Sequence, residues 1–333
     1  MPERWARAGL VVNPTAGRGP TDSLTAARQT IERLAVSTVL TGAADTGASA
    51  LQGWSGTVAT HDVRGELPTQ RTRALARWLA GQRVDVLVVV GGDGTLADAA
   101  LDIGPGVPVL GVGAGSTNVG TLVTCRCGEV EALDVDRLEP VPVDALVAAV
   151  NGNEIGVAFN DVVLAATVVG TLDGRRIDID AAEKRAGRTV PGVPRPVGGP
   201  VARVVRVHGG QRTPVAEGAA VGTVVVGFAE PAFFGKAVAG AACLTTLAGL
   251  PAGCLVCDVP LAYVGAMPTD LAAGAAVASR YVSLADGAVV EVVGMDRAAV
   301  VCVDGNPLHL FGADDRVTIG PRTGAVTAVR VRR

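Results

Sequence analysis

Apolar and polar positions follow one rhythm up to about residue 140 and another beyond it. In the first part, short β-branched apolar runs at 8–12, 36–40, 57–63, 84–90 and 108–112 alternate with segments whose apolar residues recur at helical spacing, at 23–34, 44–54 and 69–82. In the last of these, Leu75, Trp78 and Leu79 share a face and arginines cover the other. Strands alternating with helices predict a doubly wound, mostly parallel sheet. The run at 84–90 is too short to span a membrane and too uniformly apolar for a one-sided strand, so it is predicted as a central strand buried on both faces.

Beyond Glu139-Pro140-Val141-Pro142 the helical period fades. Strand-like runs follow at 143–150, 155–165, 202–207, 222–228, 281–284, 289–293, 300–303, 316–319 and 326–331. Asp286-Gly287 and Asp304-Gly305 are hairpin signals. The expected fold is an α/β N-terminal domain over 1–139 and an all-β, mainly antiparallel, β-sandwich-like domain over 140–333 that contributes to substrate binding. Residues 185–200, rich in Pro, Gly and Arg, read as an exposed loop, either a lid or a plain connection. A length of 333 residues suits two domains. Aromatics make up only 3 % against 49 % apolar residues, so both cores must be built from Val, Ala and Leu.

The net charge of −3, without a basic stripe interleaved with aromatics, argues against a nucleic-acid partner. A buried-strand pattern begins near residue 8 with no long apolar segment before it, so no signal peptide is expected and a cytoplasmic location is. The uncharged stretch 237–257 is interrupted by Pro251 and two threonines, and reads as a buried helix and strand, not a stable membrane insertion. Cys125 with Cys127 and Cys254 with Cys257 could in principle pair into a four-ligand zinc site. The second pair lies in an apolar strand-like run, where cysteine acts as a small hydrophobe, and no metal site is predicted. His61, His208 and His309 show no metal spacing and sit in no nucleophile motif.

Candidate chemistry concentrates where strands end in glycine. The run at 84–90 stops at Gly91-Gly92-Asp93-Gly94-Thr95 and a helical segment follows. Glycines there admit unusual backbone angles and let a ligand approach the main chain. Asp93 falls at the carboxyl end of the strand, where open α/β sheets place ligands. Thr95 falls in the first helical turn, which favours phosphate. The first strand ends similarly in Asn13-Pro14-Thr15-Ala16-Gly17-Arg18-Gly19, and the 108–112 strand in Gly113-Ala114-Gly115-Ser116-Thr117-Asn118. No Walker A pattern occurs.

The segment Gly91-Gly92-Asp93-Gly94-Thr95 resembles the signature of the ATP-NAD kinase family, within the NAD kinase and diacylglycerol kinase superfamily. The Asn13-Pro14-x-x-Gly17 opening resembles that superfamily's first loop. The third loop, Ala114-Gly115-Ser116-Thr117-Asn118, is closer to the lipid-kinase version, without its proline. Phe159-Asn160-Asp161 resembles the Asn-Glu pair with which NAD kinases hold dinucleotide hydroxyls, one methylene shorter.

The resemblance implies a kinase that moves a phosphoryl group from ATP, with Mg²⁺, to a hydroxyl group, most simply NAD⁺ to NADP⁺. Asp93 would accept or orient the hydroxyl proton. Asn13, Gly91, Gly92, Gly94, Thr95, Gly115, Ser116, Thr117 and Asn118 would line the triphosphate path, and Asn160 and Asp161 would bind the acceptor. The site would fall in the cleft between the domains, and the family suggests a homo-oligomer. Two other readings stay open: a diacylglycerol- or sphingosine-type lipid kinase, and a non-catalytic nucleotide-binding protein on the same scaffold.

Overall fold

The computed structural model describes residues 5–16, 19–63, 68–115, 120–172, 175–228, 250–260 and 277–332. The chain divides into two compact units, Met1–Val143 with Gly324–Arg333, and Asp144–Thr323.

The first unit opens with strand β1 (Arg7–Val12), helix α1 (Pro20–Leu34), β2 (Thr38–Gly42), β3 (Thr57–His61), α2 (Pro68–Ala80), β4 (Val86–Gly91), α3 (Asp93–Ile103), β5 (Val109–Gly113) and β6 (Val123–Arg126). The strands pair in the order β3-β2-β1-β4-β5, all parallel, and β6 pairs with β5 in the same sense. This is the doubly wound order, and it reverses between β1 and β4. Even-numbered residues of the central strands (Leu10, Val12, Val86, Val88, Val90, Leu110, Val112) share a core with Ala26, Ala27, Ile31 and Leu34 of α1. The other face takes α2 and α3: a Cβ on Gly9 would meet Leu79 and Leu87 side chains within 3.3 Å. β4 is therefore buried at every position, which is why its sequence is continuously apolar. Each buried Val or Leu contributes roughly 1.5–3 kcal/mol.

The segment 44–54, expected as a helix, instead forms two 3₁₀ turns, Ala44–Thr46 and Ala48–Leu51. Gly47 between them has φ 153°, and a Cβ there would fall 1.8 Å from the Thr41 hydroxyl. A continuous helix cannot pass through that conformation.

The remaining elements are β7 (Leu138–Val150), β8 (Asn153–Ala158), β9 (Asp161–Ala165), β10 (Thr167–Leu172), β11 (Arg175–Asp180), α4 (Ala181–Arg185), β12 (Gly198–His208), β13 (Gln211–Glu217), β14 (Thr223–Phe228), β15 (Ala252–Cys257), β16 (Ser279–Leu284), β17 (Val289–Met295), β18 (Val300–Val303), β19 (Asn306–Leu310) and β20 (Arg316–Val331). In the second unit β16-β15-β14-β9-β18-β19 form an antiparallel sheet. β13, β12, β17 and the start of β20 form another. One core joins their inner faces, with Val162, Leu164, Val224, Val226 and Val256 from the first sheet and Val204, Val290, Val292 and Val317 from the second. This is the antiparallel, sandwich-like β region that the alternating runs predict.

The run 155–165, read as one strand, is two, because the chain turns at Phe159-Asn160. The β10–β11 hairpin and strand β13 are additional to the predicted runs, while β12 lengthens the run predicted at 202–207. Cys254 and Cys257 both lie in β15 but pack in different apolar clusters. A strand turns residues three apart to opposite faces, so this pair cannot grip one ion. Residues 237–249 of the uncharged stretch lie outside the described residues. Among the described residues, no helix is long and apolar enough to cross a membrane.

Candidate active site

The site in the first unit is built where β1 and β4 end side by side. Val12 pairs with Val90, and the next backbone N–H, of Asn13, donates to the Val90 carbonyl at 2.9 Å. Both loops leave the sheet at its carboxyl edge, at the point where the strand order reverses. That is the position from which open α/β sheets bind ligands.

Asn13 ties the two loops together. Its side-chain oxygen accepts the Thr15 N–H at 3.1 Å and the Thr15 hydroxyl at 2.8 Å, which folds the first loop back on itself. Its amide nitrogen donates to the Thr95 hydroxyl at 2.9 Å. Thr95, only 8 % exposed, also donates its N–H to the Gly92 carbonyl at 2.9 Å. Asn13 and Thr95 thus hold the loops in register, and their groups are largely engaged in doing so.

The glycines of the motif have separate tasks. A Cβ on Gly91 would approach the Thr95 side chain to 2.6 Å, so glycine here lets Thr95 pack over the strand end. Gly92 precedes α3 in an extended conformation, with no side-chain cap on the helix. A Cβ on it would meet only the Gly115 Cα, at 3.6 Å. Gly91 accepts the Ala114 N–H at 2.7 Å. Gly91 and Gly92 therefore meet Ala114 and Gly115 backbone to backbone. Gly94 lies in the first turn of α3 and Asp93 is its first residue. One Asp93 carboxylate oxygen accepts the Gly120 N–H at 3.2 Å, which fixes the carboxylate against the third loop. Ser116, Thr117 and Asn118 lie outside the described residues.

Arg71, absent from the sequence expectations, lines a small cleft of about 10 Å³, room for a single water, beside Asn13 and Pro14. Of the α2 arginines, Arg73 and Arg77 reach Asp102 at 2.9 and 3.5 Å. Among the described residues Arg71 has no such counter-ion, and its Nε is buried without a hydrogen-bond partner. Sequence offers one signal only, an arginine in the first turn of a helix, where a positive charge is unfavourable.

Asn160 and Asp161 lie in the second unit, where Asp304 organises them. The Asp304 carboxylate accepts N–H bonds from Phe159 at 2.8 Å, Asn160 at 2.8 Å and Asp161 at 3.0 Å. The Asp304 N–H in turn donates to the Asp161 carbonyl at 3.0 Å. Asp304 itself has φ 46°, at the head of the β18–β19 hairpin. Among the described residues, the Asn160 side-chain oxygen is buried without a partner. Burial, and secondarily the charge of Asp304, pushes the Asp161 carboxyl up to about 7.

Comparison with known proteins decides the family. The family model for the ATP-NAD kinase N-terminal domain matches residues 9–125, which contain all three glycine loops, the Gly91-Gly92-Asp93-Gly94-Thr95 segment among them. An uncharacterized protein of Archaeoglobus fulgidus is 36 % identical over 238 residues, covering 71 % of this chain and 72 % of the relative. The chain belongs to the ATP-NAD kinase family. Two solved structures share its fold. The yeast NADH kinase, crystallised with NADH, superposes with a TM-score of 0.54 at 14 % identity over 97 % of this chain and 83 % of that one. A diacylglycerol kinase-like protein from Bacillus anthracis str. Sterne gives 0.52 at 15 % identity, over 99 % and 98 %. ATP-NAD kinase family membership makes the protein a member of a phosphotransferase family, and the likeness to the two structures concerns the fold alone.

Proposed function

We propose that the protein transfers the terminal phosphoryl group of ATP to a hydroxyl group of NAD⁺, producing NADP⁺. The observation that carries this reading is the Asn13–Thr95 hydrogen bond, which locks two glycine loops around Asp93 at the point where the strand order reverses. Phosphoryl transfer asks little covalent chemistry of a protein; positioning and charge neutralisation dominate. Asp93 takes up or orients the proton of the attacking hydroxyl. The glycine backbones at 91, 92, 94 and 115 let phosphates lie against the main chain, and the first turn of α3 favours their charge. Ser116, Thr117 and Asn118 complete the triphosphate path, and Asn160 with Asp161 binds the acceptor. The unpartnered Asn160 oxygen suits a ligand hydroxyl donor. The Asp93 carboxylate with phosphate oxygens and water is the hard-oxygen donor set that Mg²⁺ prefers. When bound, Mg²⁺ neutralises charge on the phosphates.

The test is phosphate transfer from ATP–Mg²⁺ to NAD⁺, with a diacylglycerol or sphingoid base in micelles in parallel, and Asp93→Asn as control. A general base contributes roughly 10²–10⁴ in rate, so NADP⁺ formation falls by at least that order in the variant. NADP⁺ formation that persists at near-normal rate in Asp93→Asn overturns the assignment of Asp93. Phosphorylation of the lipid and not of NAD⁺ overturns the acceptor, and transfer to neither overturns the enzymatic reading.

A further inference from the structure

We infer that Arg330, near the end of the last strand, is a positioning residue for the active site: by holding the Thr121 carbonyl it keeps the Gly120 N–H on the Asp93 carboxylate. The inference rests on the reading of Asp93 as the group that handles the hydroxyl proton, and adds to that reading a residue that no glycine loop contains.

The contacts form one chain. Nη2 of Arg330 donates to the Thr121 carbonyl at 2.8 Å, across 209 residues of sequence. The residue before Thr121 is Gly120, whose N–H donates to the Asp93 carboxylate at 3.2 Å. Gly120 to Val123 form a turn, closed by the Val123 N–H on the Gly120 carbonyl at 3.0 Å. The peptide between the second and third residues of such a turn is the one that rotates between turn types. Its carbonyl is that of Thr121, so Arg330 holds the peptide that the turn's own bond leaves free to rotate. The Thr121 side chain does not hold it, because its buried hydroxyl has no hydrogen-bond partner among the described residues.

The anchor is firmer than a chain end usually is. Gly324–Arg333 belongs to the first compact unit, with the glycine loops. On one side of Arg330, the Thr124 hydroxyl donates to the Val329 carbonyl at 2.6 Å. On the other, the Arg332 N–H donates to the Arg137 carbonyl at 2.8 Å, and the Arg137 guanidinium donates to the Arg332 carbonyl. Val326, Ala328 and Val329 are buried, and Ala328 pairs with Val109 of β5. The turn also rests on β5, where a Cβ on Gly111 would fall 2.1 Å from the Leu122 carbonyl. It is therefore seated on β5 at Leu122 and tied to β20 at Thr121. Releasing the second tie lets Gly120 pivot away from Asp93, and a carboxylate that loses an N–H donor ionises at higher pH.

The test is amide exchange at Gly120 by nuclear magnetic resonance, with the pH profile of NADP⁺ formation alongside, in wild type, Arg330→Met, Arg330→Lys and Thr327→Val. Thr327→Val removes a different bond of the same strand, from the Thr327 hydroxyl to the Pro105 carbonyl at 2.8 Å, and so controls for general loosening. The Gly120 amide is expected to exchange roughly tenfold faster or more in Arg330→Met, less so in Arg330→Lys, which keeps a donor, and at the wild-type rate in Thr327→Val. The acid limb of kcat/KM, which reports the base of the free enzyme, should rise by roughly one pH unit in Arg330→Met and stay in place in Thr327→Val. Unchanged Gly120 exchange in Arg330→Met, or equal acceleration in Thr327→Val, overturns the inference. An acid limb that does not move in an active Arg330→Met enzyme overturns it too. Exchange that responds as expected in a protein that transfers no phosphate overturns the kinase reading and leaves the tie from Arg330 to Gly120 standing. Should Arg330→Met not fold, Arg330→Lys is judged by the same two measurements.

Discussion

The side-chain amide of Asn13 and the hydroxyl of Thr95, 82 residues apart in sequence, are hydrogen-bonded at 2.9 Å. The bond crosses the place where the sheet order reverses and joins the first loop to the first turn of α3. Asn13→Ala and Thr95→Val each remove it, and a hydrogen bond of this kind contributes roughly 0.5–1.5 kcal/mol. Each variant is expected to unfold at lower urea, and the double variant to lose less than the sum, with a coupling of at least about 0.5 kcal/mol. Strictly additive losses would mean that the two loops are held by other contacts. Under the proposed function, both variants also raise the KM for ATP, because the phosphate path is no longer held in register.

The two glycines of the motif separate packing from ligand approach. Gly91→Ala forces a Cβ to 2.6 Å from the Thr95 side chain, and Thr95 is β-branched and fixed in a helix, so it yields poorly. Overpacking of this kind costs about 1–3 kcal/mol, and the variant is expected to melt lower and lose activity together. Gly92 has φ −81° and ψ 174°, angles any residue adopts, and its added Cβ finds ordinary contact at 3.6 Å. Gly92→Ala is therefore expected to keep the wild-type melting temperature and still lose ATP binding, measured by calorimetry. A Gly92→Ala protein that binds ATP normally would remove Gly92 from the phosphate path.

The parts of this fold that sequence discloses are those set by local pattern. β4 reads as a doubly buried strand because both of its faces meet helices, so that no position is polar. The ends of β1, β4 and β5 in glycine loops are equally visible, and with them Asn13 and Asp93. What local pattern hides depends on distant partners. Residues 155–165 look like one strand because each is compatible with one; the turn at Phe159-Asn160 forms around Asp304, more than 140 residues away. The helical spacing of 44–54 is genuine, but Gly47 is placed by its close approach to Thr41. Gly209-Gly210, with φ values of 55° and 79°, is the available signal for the β12–β13 hairpin. Arg71 is indistinguishable from its neighbours until the structure shows Asp102 pairing with the other two.

Asp304 holds the loop that carries Asn160 and Asp161 by accepting three backbone N–H groups. Asp304→Ala leaves those donors without their acceptor. Hydrogen bonds to a charged group contribute about 1.5–3 kcal/mol each, and water reaching the opened loop restores part of the loss. A net destabilisation of roughly 3 kcal/mol in urea unfolding is expected. Asp304→Asn, which keeps an acceptor oxygen in the same place, should recover part of it. In the proposed enzyme both variants raise the KM for the acceptor more than the KM for ATP, since the glycine loops of the first unit are untouched. Equal rises in the two KM values would assign Asp304 to general stability and not to acceptor binding.

Asp161 makes stability depend on pH in an unusual direction. Its carboxyl is pushed up to about 7, first by burial and then by the charge of Asp304, from an ordinary value of about 4. The folded protein therefore favours the protonated form, and the unfolded chain ionises first as pH rises. The stabilising contribution is complete below about pH 4 and is lost progressively until about pH 7, above which both states are ionised. Urea midpoints of wild type are expected to fall across that window relative to those of Asp161→Asn, which has the same shape and cannot ionise. The two curves should lie closest at low pH and separate towards neutrality, with the variant the more stable. Parallel curves from pH 4 to pH 8 would mean that the carboxyl is solvated in the folded protein. The same neutral form bears on chemistry, because a protonated Asp161 donates a hydrogen bond where a carboxylate only accepts. An acceptor hydroxyl held by Asp161 then meets a donor below pH 7 and an acceptor above it, and the KM for that substrate should change across pH 7 in wild type and stay level in Asp161→Asn.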